Sequence, residues 1–288
     1  MQILGYFATA TIFTLMLTIG VNDTFQQLVS VWQRSAVLAR SLFAAIVLVP
    51  IFVMLLLWVF DLSPAVATGL ALLAAAPGAP LTTTRSKIAG ADTIYVSSFQ
   101  LSLALLAVVV TPIWLAIFFY LFDLTIESVS PINVASQVVQ VTFLPVAIGL
   151  LLQRFAPKFV ELVRKPLNIL AVVMFVLLVL VVVAAIIMTA EMQDMLILDW
   201  TSVSAILIMA ITALAIGHFL GGQRAEERGG LATACVARNW GLAVYIATLS
   251  EAGAASIPAM TVYLILGAVT GVVYGLWNRR QVDNKLEV

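Results

Sequence analysis

The 288-residue sequence holds one cysteine, Cys235, one histidine, His218, and no Asp or Glu in the middle of any apolar run. Each shortage removes a class of function. A single cysteine leaves no internal disulfide framework. One thiol, one imidazole and no mid-run carboxylate give neither a nucleophile with its base nor a metal cluster, so an intramembrane enzyme is not supported. No nucleotide-binding motif is present, which argues against ATP-driven pumping. No cofactor and no nucleic-acid partner is implied. Charge is scarce as well, at 10% of residues against roughly 25% in soluble domains.

What the chain has instead is apolar length. It is 63% hydrophobic, with a mean hydropathy of +1.13, which makes the lipid bilayer its first partner. In hydrocarbon every backbone N–H and C=O needs an internal partner, so the choice lies between helices and a closed barrel. Continuous runs such as Ile169–Thr189 exclude the alternating barrel pattern. The expected fold is an all-α membrane protein. Windows of about 20 apolar residues suffice to cross a bilayer, and nine are read: 3–21, 36–59, 63–90, 93–122, 135–153, 166–189, 201–221, 226–250 and 257–277. The first has no basic stretch before it and reads as a retained span.

The charges fix a direction. The first, third, fifth and seventh connections and the C-terminal tail hold Arg34, Arg40, Arg85, Lys87, Arg154, Lys158, Arg164, Lys165, Arg224, Arg228, Arg279, Arg280 and Lys285. The other connections hold Asp61, Asp123, Glu127, Glu191, Asp194, Asp199 and Glu251, and no base. The positive-inside rule places the N-terminus outside and the C-terminus in the cytoplasm of a cell (inner) membrane. The one base left over is Arg238, inside an apolar run. An arginine at that depth is costly unless it faces a cavity or a partner, so it is a functional hypothesis by default.

Two spans are interrupted. Span three contains Ala76-Pro77-Gly78-Ala79-Pro80. Proline removes an N–H, crowds the preceding turn and disfavours helix before it, so this stretch should unwind. Span eight carries Arg238-Asn239-Trp240-Gly241, about 18 Å from its start and near the middle of the membrane. Gly78 and Gly241 fit close backbone approach. Spans one and six are offset by about the same number of residues as the two breaks, and both pairs run in opposite directions. That is the mark of an inverted repeat, and paired interrupted helices point to a transporter site. Span five has no partner in the first half, so the chain reads as a five-plus-five design lacking its first helix. The repeats cover 1–122 and 135–277.

These residues resemble the bile acid:sodium symporter superfamily. The likeness rests on Pro77 to Thr84, on Thr111-Pro112, and on Arg238-Asn239-Trp240-Gly241-Leu242-Ala243. It implies a panel of spans 3–21, 135–153 and 166–189, and a core of helices within 36–122 and 201–277. It also implies a small organic anion as substrate, moved by alternating access between the two. The departures are informative. Where sodium-coupled members have a Ser-Asn pair this chain has Thr82-Thr83, and where they have hydroxyls in the next helix it has Val96 and Gln100. Their sodium-binding glutamate and glutamine read Ala234 and Arg238. Two unit charges about 4 Å apart repel by roughly 4 kcal/mol at an effective dielectric near 20. Arg238 is therefore expected to stand where sodium would sit, its donors met by carbonyls at the break and by the hydroxyls of Thr82 to Thr84.

Substrate-binding residues expected from this reading are Arg238, Asn239, Thr82, Thr83, Thr84, Gln100 and Trp240; the crossing itself is formed by Pro77, Gly78, Pro80 and Gly241. Each has a plainer reading: helix packing for Asn239 and Trp240, bonds to their own helix for the threonines. Ser97, Ser98 and Ser102 read as packing residues. Arg224, Glu226, Glu227 and Arg228 read as a solvated helix start, and segment 24–35 with Trp32 as interfacial. No metal ligand set is expected; sodium, a proton or no ion can be the driver, and oligomeric state stays open. The leading function is secondary transport of organic anions without the usual sodium sites. A sodium-coupled symporter with a rebuilt ion site and a non-transporting receptor on the same fold remain alternatives.

Overall fold

A computed structural model describes residues 2–124, 131–188 and 199–286. Expected features at Glu127, Glu191, Asp194 and the end of the sixth span lie outside these residues. All regular structure among them is helical. Helix α1 covers Gln2–Asn22 and α2 covers Phe25–Gln33. Helix α3 runs Ser35–Val59, α4 Pro64–Ala75, α5 Thr82–Ser86 and α6 Thr93–Phe122. Then come α7 over 131–155, α8 Pro157–Met188, α9 Trp200–Leu220, α10 Ala225–Val236, α11 Trp240–Ala247, α12 Glu251–Ala254 and α13 Ile257–Leu286.

Seven of these, α1, α3, α6, α7, α8, α9 and α13, are long and apolar enough to cross a membrane. The other two expected spans are the interrupted ones. Each is a pair of short helices, α4 with α5 and α10 with α11, parted at 76–81 and 237–239. Their breaks fall where the sequence places them. Pro112, by contrast, stays inside the uninterrupted α6.

Two groups of helices share the packing. Helix α1 makes its broadest contacts with α7 and α8, while α9 packs on α10, α13 and α3. The α1–α7 crossing is tight because Gly20 and Gly149 face each other; a Cβ on Gly149 would lie 2.7 Å from the Leu17 carbonyl oxygen. Small residues let membrane helices approach this closely.

Helices α3 and α7 each widen into a π-helical turn, at Phe43–Leu48 and Val139–Phe143, two residues ahead of Pro50 and Pro145. The cause is local. Proline has no N–H to return to the preceding turn and its ring crowds that turn's carbonyl. In α3 the Val49 N–H bonds Ala44, and Pro50 can serve neither Ala45 nor Ile46. Both carbonyls find side chains instead: Trp114 Nε1 donates to Ile46 at 2.7 Å and Arg238 Nη1 to Ala45 at 2.9 Å.

One expectation is corrected here. Glu227 is not solvated but buried, at 4% exposure. Helix α2 reaches it: Arg34 pairs with Glu227, and Arg224 adds a contact at 3.4 Å. Helix α2 is set by a capping box between Thr24 and Gln27. Its half-exposed Trp32 donates to Ser102 at 3.1 Å, and Ser98 donates to the Gln27 carbonyl at 3.1 Å.

Candidate functional site

The two breaks meet and bond to each other. The Asn239 N–H donates to the Ala76 carbonyl at 2.9 Å, and the Ala79 N–H to the Ala237 carbonyl at 3.4 Å. Gly78, between them on the first strand of irregular chain, has φ +80, which an L side chain rarely adopts. A Cβ there would also press on Leu103 at 3.0 Å. At Gly241 a Cβ would meet Ile12 of α1 at 3.1 Å. The close approach at both glycines is to side chains, Leu103 and Ile12, rather than to another backbone as expected.

Arg238 is buried, at 3% exposure. Its Nε donates to the Leu73 carbonyl at 3.0 Å, its Nη1 to Ala45 at 2.9 Å and its Nη2 to Ala74. Leu73 and Ala74 lie in the last turn of α4, where the helix dipole presents its negative end; Leu73 also accepts from the Ala76 N–H at 3.2 Å. The carbonyl half of the sequence expectation therefore holds. The hydroxyl half does not: Thr82 Oγ1 turns back to the Ala79 carbonyl at 2.6 Å and Thr83 Oγ1 donates to Gln100 at 2.8 Å. Thr82 is the residue after a type of turn in which a hydroxyl readily bonds its own backbone.

Gln100 is buried and works as a clasp. Its Nε2 donates to the Pro80 carbonyl at 2.6 Å, and its Oε1 accepts from the Thr83 hydroxyl at 2.8 Å and the Thr83 N–H at 3.3 Å. The Asn239 Oδ1 caps α11 by accepting from the Leu242 N–H at 3.1 Å. Trp240 is buried edge-on against Phe175, ring centres 6.0 Å apart. Tyr263, absent from the expected set, donates to the Val236 carbonyl at the end of α10 at 2.9 Å.

A cavity of about 450 Å³ opens beside the first break, between α1 and α8 on one side and α5 and α6 on the other. Pro80, Thr83, Thr84 and Gln100 line it, with Asn22 and Asn168, which bond each other at 2.8 Å. Arg238, Asn239, Trp240 and Gly241 instead line a narrow crevice of about 20 Å³, which adjoins the larger cavity at Pro80 and Leu81. So the structure brings the expected residues to one crossing but divides those expected to bind substrate between two spaces, except Thr82, which is buried and lines neither. Two charged residues of the large cavity are absent from the expected site: Asp23, and Lys87, whose charge the sequence uses only to set the topology; both sit at the ends of apolar runs. Burial pushes the Asp23 carboxyl above its ordinary range, and a hydrogen bond from Ser97 partly opposes the shift.

The model of the family described as Sodium Bile acid symporter family matches residues 9–193, more than half of the chain. The chain belongs to this family. The match spans the first break, its Gln100 clasp and the large cavity, and it ends before Arg238. Symporter-family members are transporters and not enzymes, so the protein is an integral, multi-pass membrane protein of a transport family with a small-molecule substrate. No curated protein matches the chain in sequence.

Proposed function

We propose that this protein is a secondary transporter of small organic anions in which a tethered guanidinium takes the place of a bound sodium ion. The observation that carries the reading is the set of three carbonyls, from Leu73, Ala74 and Ala45, all accepting from Arg238. Hard carbonyl oxygens gathered around one buried cation are the ligand type an alkali or alkaline-earth ion takes. Here a side chain fills that point and neutralises the helix end permanently.

In this reading α1, α7 and α8 form the panel and the remaining long helices with the two broken pairs form the core. The broken pairs complete nine crossings in two inverted repeats, and panel and core move against each other in alternating access. The 450 Å³ cavity, with Lys87 at its edge, then faces the cytoplasm, the side on which the basic connections lie. Thr83, Thr84 and Gln100 meet the substrate there, and Asn239 and Trp240 meet it at the crevice.

The test is uptake of labelled cholate and benzoate into liposomes holding the purified protein, with equal sodium or choline outside. Uptake at the same rate in both is expected. Uptake that appears only with sodium would sink the tethered-cation reading and favour a rebuilt ion site; no uptake of any organic anion would favour the receptor alternative.

A further inference from the structure

The crevice at the crossing has more donors than its walls can satisfy. Asn239 is 1% exposed and Trp240 2%, yet Asn239 Nδ2 and Trp240 Nε1 have no hydrogen-bond partner among the described residues. Buried donors left unpaired cost about 1–3 kcal/mol each, so two on neighbouring residues in one crevice call for an explanation. The third donor is Arg85. It leaves the short helix α5, and no hydrogen bond or ion pair of its guanidinium occurs among the described residues. Its side chain lines the crevice together with Asn239 and Trp240, and also two small adjoining spaces of about 60 and 10 Å³. No carboxylate and no hydroxyl side chain lines the crevice, and the one side-chain acceptor in it, Asn239 Oδ1, is taken by the Leu242 N–H.

Arg238 does not fill this role, because each of its three nitrogens already donates to a carbonyl. One arginine is thus bound into the fold, and the other is free beside two orphaned N–H groups. An acceptor-only group with negative charge satisfies all three at once, and a carboxylate matches a guanidinium fork in shape. At about 20 Å³ the crevice has room for roughly one water-sized group, enough for a headgroup and not for a whole substrate. The rest of the molecule extends toward the 450 Å³ cavity past Pro80 and Leu81, which line both.

We propose that Arg85, Asn239 and Trp240 form the seat for the carboxylate of the transported molecule. The proposal rests on the transport reading above and adds to it the group that holds the substrate's charge. The experiment uses the full chain in detergent and a ladder of carboxylates (formate, acetate, benzoate) beside their neutral amides at constant ionic strength, reading the thermal midpoint. A ligand that binds only the folded state raises it by mass action. At least one carboxylate should raise the midpoint while its amide does not. Arg85→Gln should weaken that carboxylate by roughly tenfold or more, the effect of losing a charge-assisted hydrogen bond, and Arg85→Lys by less.

Trp240→Phe keeps one aromatic ring and removes one orphaned donor. Without ligand the relief of that donor offsets much of the cost of the lost volume, so the variant should still fold, and its carboxylate response should fall several-fold. This variant decides the matter even where Arg85→Gln does not fold. Equal carboxylate responses in the parent, Arg85→Gln and Trp240→Phe overturn the seat. Liposome uptake of the same carboxylate separates the two levels: uptake untouched by both substitutions removes the seat and leaves the transport reading standing, whereas a parent that neither binds nor transports any carboxylate removes both.

Discussion

The Ala45 carbonyl, left without a helical donor because Pro50 has no N–H, accepts a hydrogen bond from Arg238 at 2.9 Å. A π-helical turn in one helix and a charge 193 positions away in sequence are therefore two halves of a single contact. Removing the guanidinium orphans the buried Ala45 and Ala74 carbonyls, at about 1–3 kcal/mol apiece, and leaves Leu73 with the Ala76 N–H alone. Arg238→Met should lower stability by several kcal/mol, read as the thermal midpoint in detergent. Arg238→Gln should fall less, and sodium, but not choline, should restore part of its loss by entering the vacated carbonyl cage. A midpoint indifferent to sodium in that variant would mean that the cage is not a cation site.

Gln100 holds the first break closed through bonds to Pro80 and Thr83. Gln100→Leu should cost about 2–4 kcal/mol from the lost bonds and the polar groups left behind. Thr83→Val should cost about 1 kcal/mol. Because both changes remove the same hydroxyl contact, the double variant should cost less than the sum. Additive losses in chemical or thermal unfolding would show that the two side chains do not act together.

Much of this architecture is legible in the residues. Apolar windows and loop charges give the long helices, and Pro77 and Pro80 give the first break; the left-handed backbone of Gly78 shows only in the structure. Arg238 stands out as the one base in an apolar run. Its acceptors do not stand out, because a carbonyl is invisible in a sequence and Leu73 and Ala74 are 165 and 164 positions away. Pro50 was in plain view, but its consequence, a free carbonyl aimed at another helix, requires knowing which helix lies opposite. Arg85, Asp23 and Lys87 look like ordinary charges at the ends of runs; only the turn of the chain after each run brings them to a cavity.

Asp23 makes the large cavity sensitive to acid. Its carboxyl is raised by burial, so the folded state holds this proton more tightly than the unfolded chain does. Its contribution to stability accordingly falls as pH rises from the ordinary carboxylate value through the raised one. Asp23→Asn should flatten that dependence and leave the protein no less stable at neutral pH. The charged groups of the cavity are Asp23 and Lys87, with Asn22, Asn168, Gln27, Ser97 and Thr84 among the neutral polar ones. Protonating Asp23 leaves Lys87 as their one charge, so carboxylate affinity should rise on acidification in the parent and not in Asp23→Asn. A titration of benzoate binding against pH checks both signs.

The α1–α7 crossing tolerates no side chain at Gly20 or Gly149. Gly149→Ala should force the helices apart and lower the thermal midpoint by the equivalent of about 1–3 kcal/mol, as overpacking does. The crossing of the broken helices lies elsewhere, so carboxylate selectivity should be unchanged in whatever protein survives. Altered selectivity would show that this contact reaches the site.

A cation fastened to the chain by covalent bonds never exchanges with either bath. Arg238 occupies its three carbonyls at any salinity, from fresh water to brine, and a drop in external salt cannot empty the place. On the proposed reading the crossing then keeps its shape without drawing on the surroundings, at the cost of being unable to sense them.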